Sequence, residues 1–177
     1  MKSLTIAPES GSDNIRKKIG KRITNDQIHQ FITQAHQNQI TQFKLYFILG
    51  LTQDPVNEAK NIIDLVDNIL SSNPGLRLNV SITPLIPKTG TKLGNEHVNY
   101  KTIQIGFDAL KKNLRKKVKY KTFPLAWAAS QAILSQGGRE LLPQLLEIAQ
   151  RGGSQQSWHQ TLGMAPINYY QDNYTSD

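Results

Sequence analysis

Three loops concentrate the residues of this chain that could do chemistry. The first is Pro8-Glu9-Ser10-Gly11-Ser12, the second Gly50-Leu51-Thr52-Gln53-Asp54, and the third Pro84-Leu85-Ile86-Pro87-Lys88-Thr89-Gly90-Thr91. Ser10 and Ser12 can hydrogen-bond the polar groups of a ligand, and Glu9 can accept from an amine or a ribose hydroxyl. Gly11 and Gly50 allow tight turns and close backbone approach. A plainer reading stands beside the functional one: Ser12 or Asp13 is a helix N-cap, and Gly50 is only a turn. The third loop is long, stiffened by Pro84 and Pro87 and free to bend at Gly90, and such loops more often carry function than fill space. The four histidines, His29, His36, His97 and His159, have no HExxH-type metal spacing, and neither a Ser/His/Asp arrangement nor a P-loop is present.

The elements that must position these loops are apolar strands alternating with amphipathic helices. Strands are expected at Leu4–Ala7, Phe43–Leu49, Leu76–Thr83 and, more briefly, Val118–Tyr120, about 35–40 residues apart, which suits one strand plus one crossover helix. Phe43–Leu49 is almost continuously apolar and reads as a strand buried on both faces. Helices are expected after each loop. One is basic and runs Asp13–Gly20; one is capped by Thr24 with capping-box spacing to Gln27; one begins near Pro55 and stops at Asn73-Pro74-Gly75. In a parallel β/α fold the loops leaving the carboxyl ends of the strands share one edge, where such folds bind ligands. The expected fold is therefore α/β with three or four β/α units over residues 1–122. Residues 123–177 form a helical C-terminal extension, broken at Gly137-Gly138 and Gly152-Gly153, with Ser154 capping a helix that carries Trp158 and a frayed polar tail from Met164 onward. An eight-unit barrel needs ~250 residues, so 177 residues make a small open sheet or part of a barrel.

Composition bounds the function classes. The chain contains no cysteine, which excludes disulfides, thiolate metal sites and an iron–sulfur cluster held by its own thiolates. Its formal net charge of +8 permits an acidic partner such as RNA. The basic run Lys111, Lys112, Arg115, Lys116, Lys117, Lys119 and Lys121 is the candidate, with little aromatic interleaving, and such a run is more often a solvated face. No apolar run approaches the ~20 residues of a membrane helix. No signal-peptide pattern opens the sequence, so no membrane partner is expected and the cytoplasm is the default compartment. The first strand begins almost at Met1, and a stable domain seldom opens inside a core strand, so an upstream portion is expected to be missing.

Taken in order, the three loops resemble one family. The segment Leu4-Thr5-Ile6-Ala7-Pro8-Glu9-Ser10-Gly11-Ser12-Asp13-Asn14-Ile15-Arg16 looks like the fourth-strand region of radical S-adenosylmethionine (SAM) enzymes, closest to the branch linked to a cobalamin-binding-type domain. Lys44-Leu45-Tyr46-Phe47-Ile48-Leu49-Gly50-Leu51 is similar to that group's fifth strand, and Val80 through Thr91 to its sixth strand and following loop. Gln131 through Arg139 resembles the group's helical segment after the barrel. The resemblance is colinear over about Ser3–Leu162. It implies a partial (β/α) barrel, about strands four to six of the family's six, with a C-terminal helical appendage. It also implies an S-adenosylmethionine site to which Glu9, Ser10 and Ser12 contribute by holding the amino-acid or ribose part. Ile48 and Gly50 would line the adenine pocket, and Leu85, Ile86 and Pro87 would support the adenine through backbone and apolar contact. The family's Cys-x3-Cys-x2-Cys motif and its first three strands have no counterpart here. A 4Fe-4S cluster is thus implied only if a separate N-terminal half supplies it, and no residue of this chain is assigned a catalytic or metal-binding role.

The first functional reading is accordingly a radical SAM protein fragment or split half, not catalytic alone, whose partner is a complementary N-terminal half. In that reading the strand Leu4–Ala7 keeps an unpaired edge that a missing strand would cover. The alternative is a small basic α/β RNA-binding module without catalysis, in which the loops are structural. A small metal-free open-sheet enzyme ranks last, because no nucleophile–base pair is present.

Overall fold

Alternation of apolar strands and amphipathic helices produces the expected elements. The computed structural model describes residues 3–175. In chain order these are β1 (Ser3–Glu9), α1 (Asp13–Lys18), α2 (Asn25–Gln37), β2 (Gln42–Leu49), α3 (Pro55–Ser72), β3 (Arg77–Pro84), α4 (Tyr100–Asn113) and β4 (Lys119–Thr122). Then follow α5 (Leu125–Gln136), a 3-10 turn (Arg139–Leu141), α6 (Leu142–Gln150), α7 (Gln155–Leu162) and α8 (Pro166–Tyr174). The chain divides into two compact units. One holds the residues up to Thr83 together with Thr102–Thr122; the other holds Pro84–Lys101 and the residues from Phe123 onward.

The first unit is α/β. Its four-stranded sheet has the sequence order β1-β2-β3-β4, with β1 parallel to β2 and β3 parallel to β4. In β2, Phe43, Leu45, Phe47 and Leu49 are buried while Lys44, Tyr46 and Ile48 are not. In β3, Leu78, Val80 and Ile82 are buried while Arg77, Asn79, Ser81 and Thr83 are not. One face of the sheet thus joins Ile28 and Ile32 of α2, Ala59, Ile62, Val66 and Ile69 of α3, and Ile103, Phe107 and Leu110 of α4 in the core. The other face is mostly polar, with Tyr46 and Ile48 among its polar side chains. This corrects the expectation that Phe43–Leu49 is buried on both faces: Tyr46 and Ile48 complete an apolar run in sequence, yet they project from the pleat beside Lys44, away from the core.

Local signals fix the helix ends. The Thr24 hydroxyl accepts from the Gln27 N–H and the Gln27 side chain accepts from the Thr24 N–H, a reciprocal capping box. The Asp54 carboxylate accepts from the Asn57 N–H at 3.0 Å, and Pro55 occupies the first turn of α3, where its missing N–H costs nothing.

The second unit is helical apart from the loop that follows β3. Here the structure corrects the frayed tail: residues 166–174 form α8, which packs on α5. Pro166 presets its first turn. Tyr170 is fully buried, with its ring 5.3 Å from that of Tyr100 and 5.7 Å from that of Tyr174. Three tyrosines in a polar sequence anchor the helix. The Tyr100 hydroxyl, buried and shifted to a higher pKa by desolvation, donates to the Leu85 carbonyl at 3.1 Å and lies 3.4 Å from that of Ala128. It therefore ties the loop after β3 to α5. Tyr100→Phe should lower stability by about 1–2 kcal/mol, the cost of leaving a buried carbonyl unpaired. Urea denaturation checks this, and a variant as stable as the parent would show the tie to be dispensable.

Candidate functional site

The carboxyl ends of β1 and β2 lie side by side, because the two strands are parallel and, after a bulge, Glu9 pairs opposite Phe47. This register brings the Glu9–Ser12 loop to the same edge as Ile48 and Gly50. Each loop is built around a buried charge.

At the end of β1, Glu9 adopts a left-handed backbone with φ 67°, a conformation that is uncommon for a residue other than glycine and tends to gather at functional positions. Its carboxylate is partly exposed, and one oxygen accepts from the Lys21 ammonium at 2.8 Å. Ser10 is buried, and its hydroxyl oxygen accepts from the Ser12 N–H at 3.2 Å. Ser12 is the N-cap of α1 by position but forms no side-chain cap bond. The loop is held from beneath by Arg16, which is fully buried. Its guanidinium donates to the Ser10 carbonyl, the Ile23 carbonyl at 2.8 Å, the Asn25 side-chain oxygen at 2.7 Å and the Asp13 carboxylate. Asn25 closes the network by donating to the Gly11 carbonyl at 2.9 Å. Burial lowers the pKa of Arg16, while the Asp13 charge and hydrogen bond oppose that shift. Gly11 has a packing reason to be glycine: a Cβ there would sit 2.2 Å from the backbone of Asn61 in α3.

At the end of β2, Ile48 is half-buried on the polar face of the sheet, and Gly50 takes φ 94°, a left-handed conformation suited to glycine. The N–H groups of the loop converge on one carboxylate. Glu58, on the buried stripe of α3, accepts from the Gly50 and Leu51 N–H groups at 3.0 and 3.1 Å. Its other oxygen accepts from the Thr52 N–H and hydroxyl at 2.6 and 2.7 Å. Burial raises the pKa of Glu58; the hydrogen bonds from Thr52, Leu51 and Gly50 pull the other way. Donors that could have faced a ligand are satisfied inside the fold.

Leu85, Ile86 and Pro87 belong to the second unit, where Leu85 and Pro87 are buried and Ile86 is half-buried. The basic run is divided by the fold. Lys111 and Lys112 end α4. Arg115 pairs with Asp67 at 2.7 Å and donates to the Ser71 hydroxyl at 3.0 Å. Lys119 and Lys121 lie on β4, in register with Asn79 and Ser81 on the polar sheet face. Among the described residues no group of three or more His, Asp or Glu side chains gathers as a metal site, and no helix is long and apolar enough to cross a membrane. Sequence reasoning missed Arg16, Glu58 and the polar sheet face. Glu58 could have been found, since it falls three residues after Pro55 and four before Ile62 on an otherwise apolar helical stripe.

The chain is similar to an uncharacterized protein of Methanocaldococcus jannaschii, with 31% identity over 143 residues. The match covers 79% of this chain and 31% of that protein, so the chain spans about a third of the length of the curated relative it matches. No family model matches the chain. No solved structure matches it.

Two outcomes follow from this geometry. Gly11→Ala should destabilise the fold by about 3 kcal/mol or prevent folding, because the added methyl meets backbone rather than a movable side chain; a melting temperature unchanged from the parent would contradict that contact. Glu58→Gln should cost about 1–3 kcal/mol, because an amide N–H₂ is turned onto donors that need an acceptor. The sign of the pH effect is set by the raised pKa. The unfolded chain releases the Glu58 proton first, near its ordinary value of about 4.3. The Glu58 contribution to stability therefore falls as pH rises from there to the folded value. Denaturant melts over pH 4–7 should show that decline weakened in Glu58→Gln, and an unaltered profile would exclude the assignment.

Proposed function

We propose that this chain is the C-terminal half of a radical SAM barrel, contributing part of an S-adenosylmethionine site and inactive alone. The observation that carries the reading is Glu9. It is a carboxylate in a left-handed backbone at the carboxyl end of one parallel strand, paired next to the Ile48–Gly50 end of the neighbouring strand. Three further features support it. The sheet runs in sequence order with a helical segment in each connection, as a segment of a (β/α) barrel does. Its uncovered face is polar, as an inner face that meets ligand would be. β1 ends the sheet, leaving an edge that a strand of another half would cover. The similarity to about a third of a much longer archaeal protein suits a chain whose counterpart works within a larger whole.

The residues at this edge fit part of S-adenosylmethionine. The exposed portion of the Glu9 carboxylate can accept from its ammonium or ribose hydroxyls, beside the Ser10–Ser12 turn. Ile48 gives an apolar surface for a purine, and Gly50 lets the ring approach the backbone. The chain has no thiolate, so the 4Fe-4S cluster does not fit here and belongs to the complementary half. Radical chemistry would be supplied by such a cluster in the complementary half, which would give the electron that cleaves a carbon–sulfur bond of the S-adenosylmethionine held here. Arg16 and Glu58 act only by keeping the two loops in place. The proposed compartment is the cytoplasm.

Calorimetric titration with S-adenosylmethionine tests this, using the chain alone and the chain mixed with a complementary N-terminal half reconstituted with iron and sulfide. Binding should appear with the partner present and be lost at least about tenfold in Glu9→Ala, the loss of a charged hydrogen bond. A folded chain that binds no S-adenosylmethionine in either mixture would overturn the proposal.

A further inference from the structure

The polar face of the sheet carries a second candidate site, away from the carboxyl-edge loops. Lys44, Asn79, Ser81, Lys119 and Lys121 line an open trough of about 650 Å³ across β2, β3 and β4. They sit on the amino-terminal half of their strands or near the middle, and pairing sets Lys119 opposite Asn79 and Lys121 opposite Ser81. A smaller hollow of about 160 Å³ shares Asn79 and Lys119 and adds Arg77 and Lys117. Neither hollow has an acidic side chain in its lining. The Lys44 ammonium lies 4.5 Å from the centre of the Tyr46 ring, which steers it along the same face.

Several ammonium groups converging on one floor, with no carboxylate among them, repel one another until an anion enters. Lys119 and Lys121 leave β4 about 6–7 Å apart, and their flexible stems let both reach a single phosphate. The Ser81 hydroxyl and the Asn79 amide add uncharged donors from the neighbouring strand. That set exceeds what one carboxylate can accept and suits the several oxygens of a phosphate group. We propose that this trough binds a phosphate-bearing small molecule. A small molecule is favoured over RNA because the fold splits the basic run: Lys111 and Lys112 lie on α4, outside the trough, and Tyr120 is the one aromatic ring in its lining, too few to stack successive bases. This inference does not rest on the reading of the Glu9 edge, and the two are measured with different ligands.

The test is calorimetry of the full chain with inorganic pyrophosphate as probe, repeated with single-stranded oligouridylate. Lys119→Gln combined with Lys121→Gln should weaken pyrophosphate binding about tenfold or more. Lys44→Gln should weaken it to a smaller degree, and Lys111→Gln combined with Lys112→Gln should leave it within about twofold. All the substituted lysines are exposed, so an unchanged melting temperature verifies that each variant is folded. Failure of pyrophosphate to bind at millimolar concentration, or equal weakening in the α4 pair, would overturn the proposal. So would oligouridylate binding that is tighter than pyrophosphate and lost in the α4 pair, which would assign the basic run to RNA.

Discussion

The interaction on which the first unit depends is the grip of Glu58 on the loop leaving β2. A parallel strand that ends at a tight turn strands several N–H donors, and burying them unpaired would cost about 1–3 kcal/mol each. One carboxylate accepts from three successive N–H groups and from the Thr52 hydroxyl. Because Glu58 rides on α3, the same bonds fix where that helix begins relative to the strand. Arg16 does the complementary work at β1, giving donors to carbonyls that its own loop leaves unpaired. A buried carboxylate under one loop and a buried guanidinium under the other make the carboxyl edge rigid. The two loops also touch through α3, since Gly11 lies against the backbone of Asn61. Displacing α3 would therefore disturb both loops together.

The second constraint is that only one face of the sheet is buried. Parallel sheets are commonly covered on both faces, and their strands then read as unbroken apolar runs. Here Lys44, Arg77, Asn79, Ser81, Lys119 and Lys121 keep the second face polar. A helix could not pack there without burying several cations, at a penalty of several kcal/mol per ion. The uncovered face is thus enforced by its side chains, and its natural complement is anionic or aqueous.

Much of the fold was legible in local signals. Thr24 with Gln27, Asp54 with Pro55, the stop at Asn73-Pro74-Gly75 and the cap at Ser154 all act through bonds spanning a few residues, so spacing alone reveals them. The errors arose where meaning depends on distant packing. Tyr46 and Ile48 look like core residues until the pleat shows which side is covered. Residues 166–174 look too polar to hold a helix until Tyr170 is seen packed against Tyr100, seventy residues earlier in the chain. At the site, the positions of Glu9, Ser10 and Gly50 at strand ends could be read from the alternation of elements. That Gly11 answers to a helix backbone, and that the Gly50–Thr52 donors are already occupied, could not be read from the loops themselves.

Those occupied donors also limit what this chain can do chemically. Ser10 is buried and engaged by Ser12, and the N–H groups after β2 belong to Glu58. Part of the Glu9 carboxylate, the half-buried Ile48 and the Gly50 turn stay accessible at this edge; the sheet face carries a set of cations with two uncharged donors. All of them recognise charge, shape or hydrogen-bond pattern. Recognition at this edge and on this face rests on side chains that the packed loops and the paired strands hold in place.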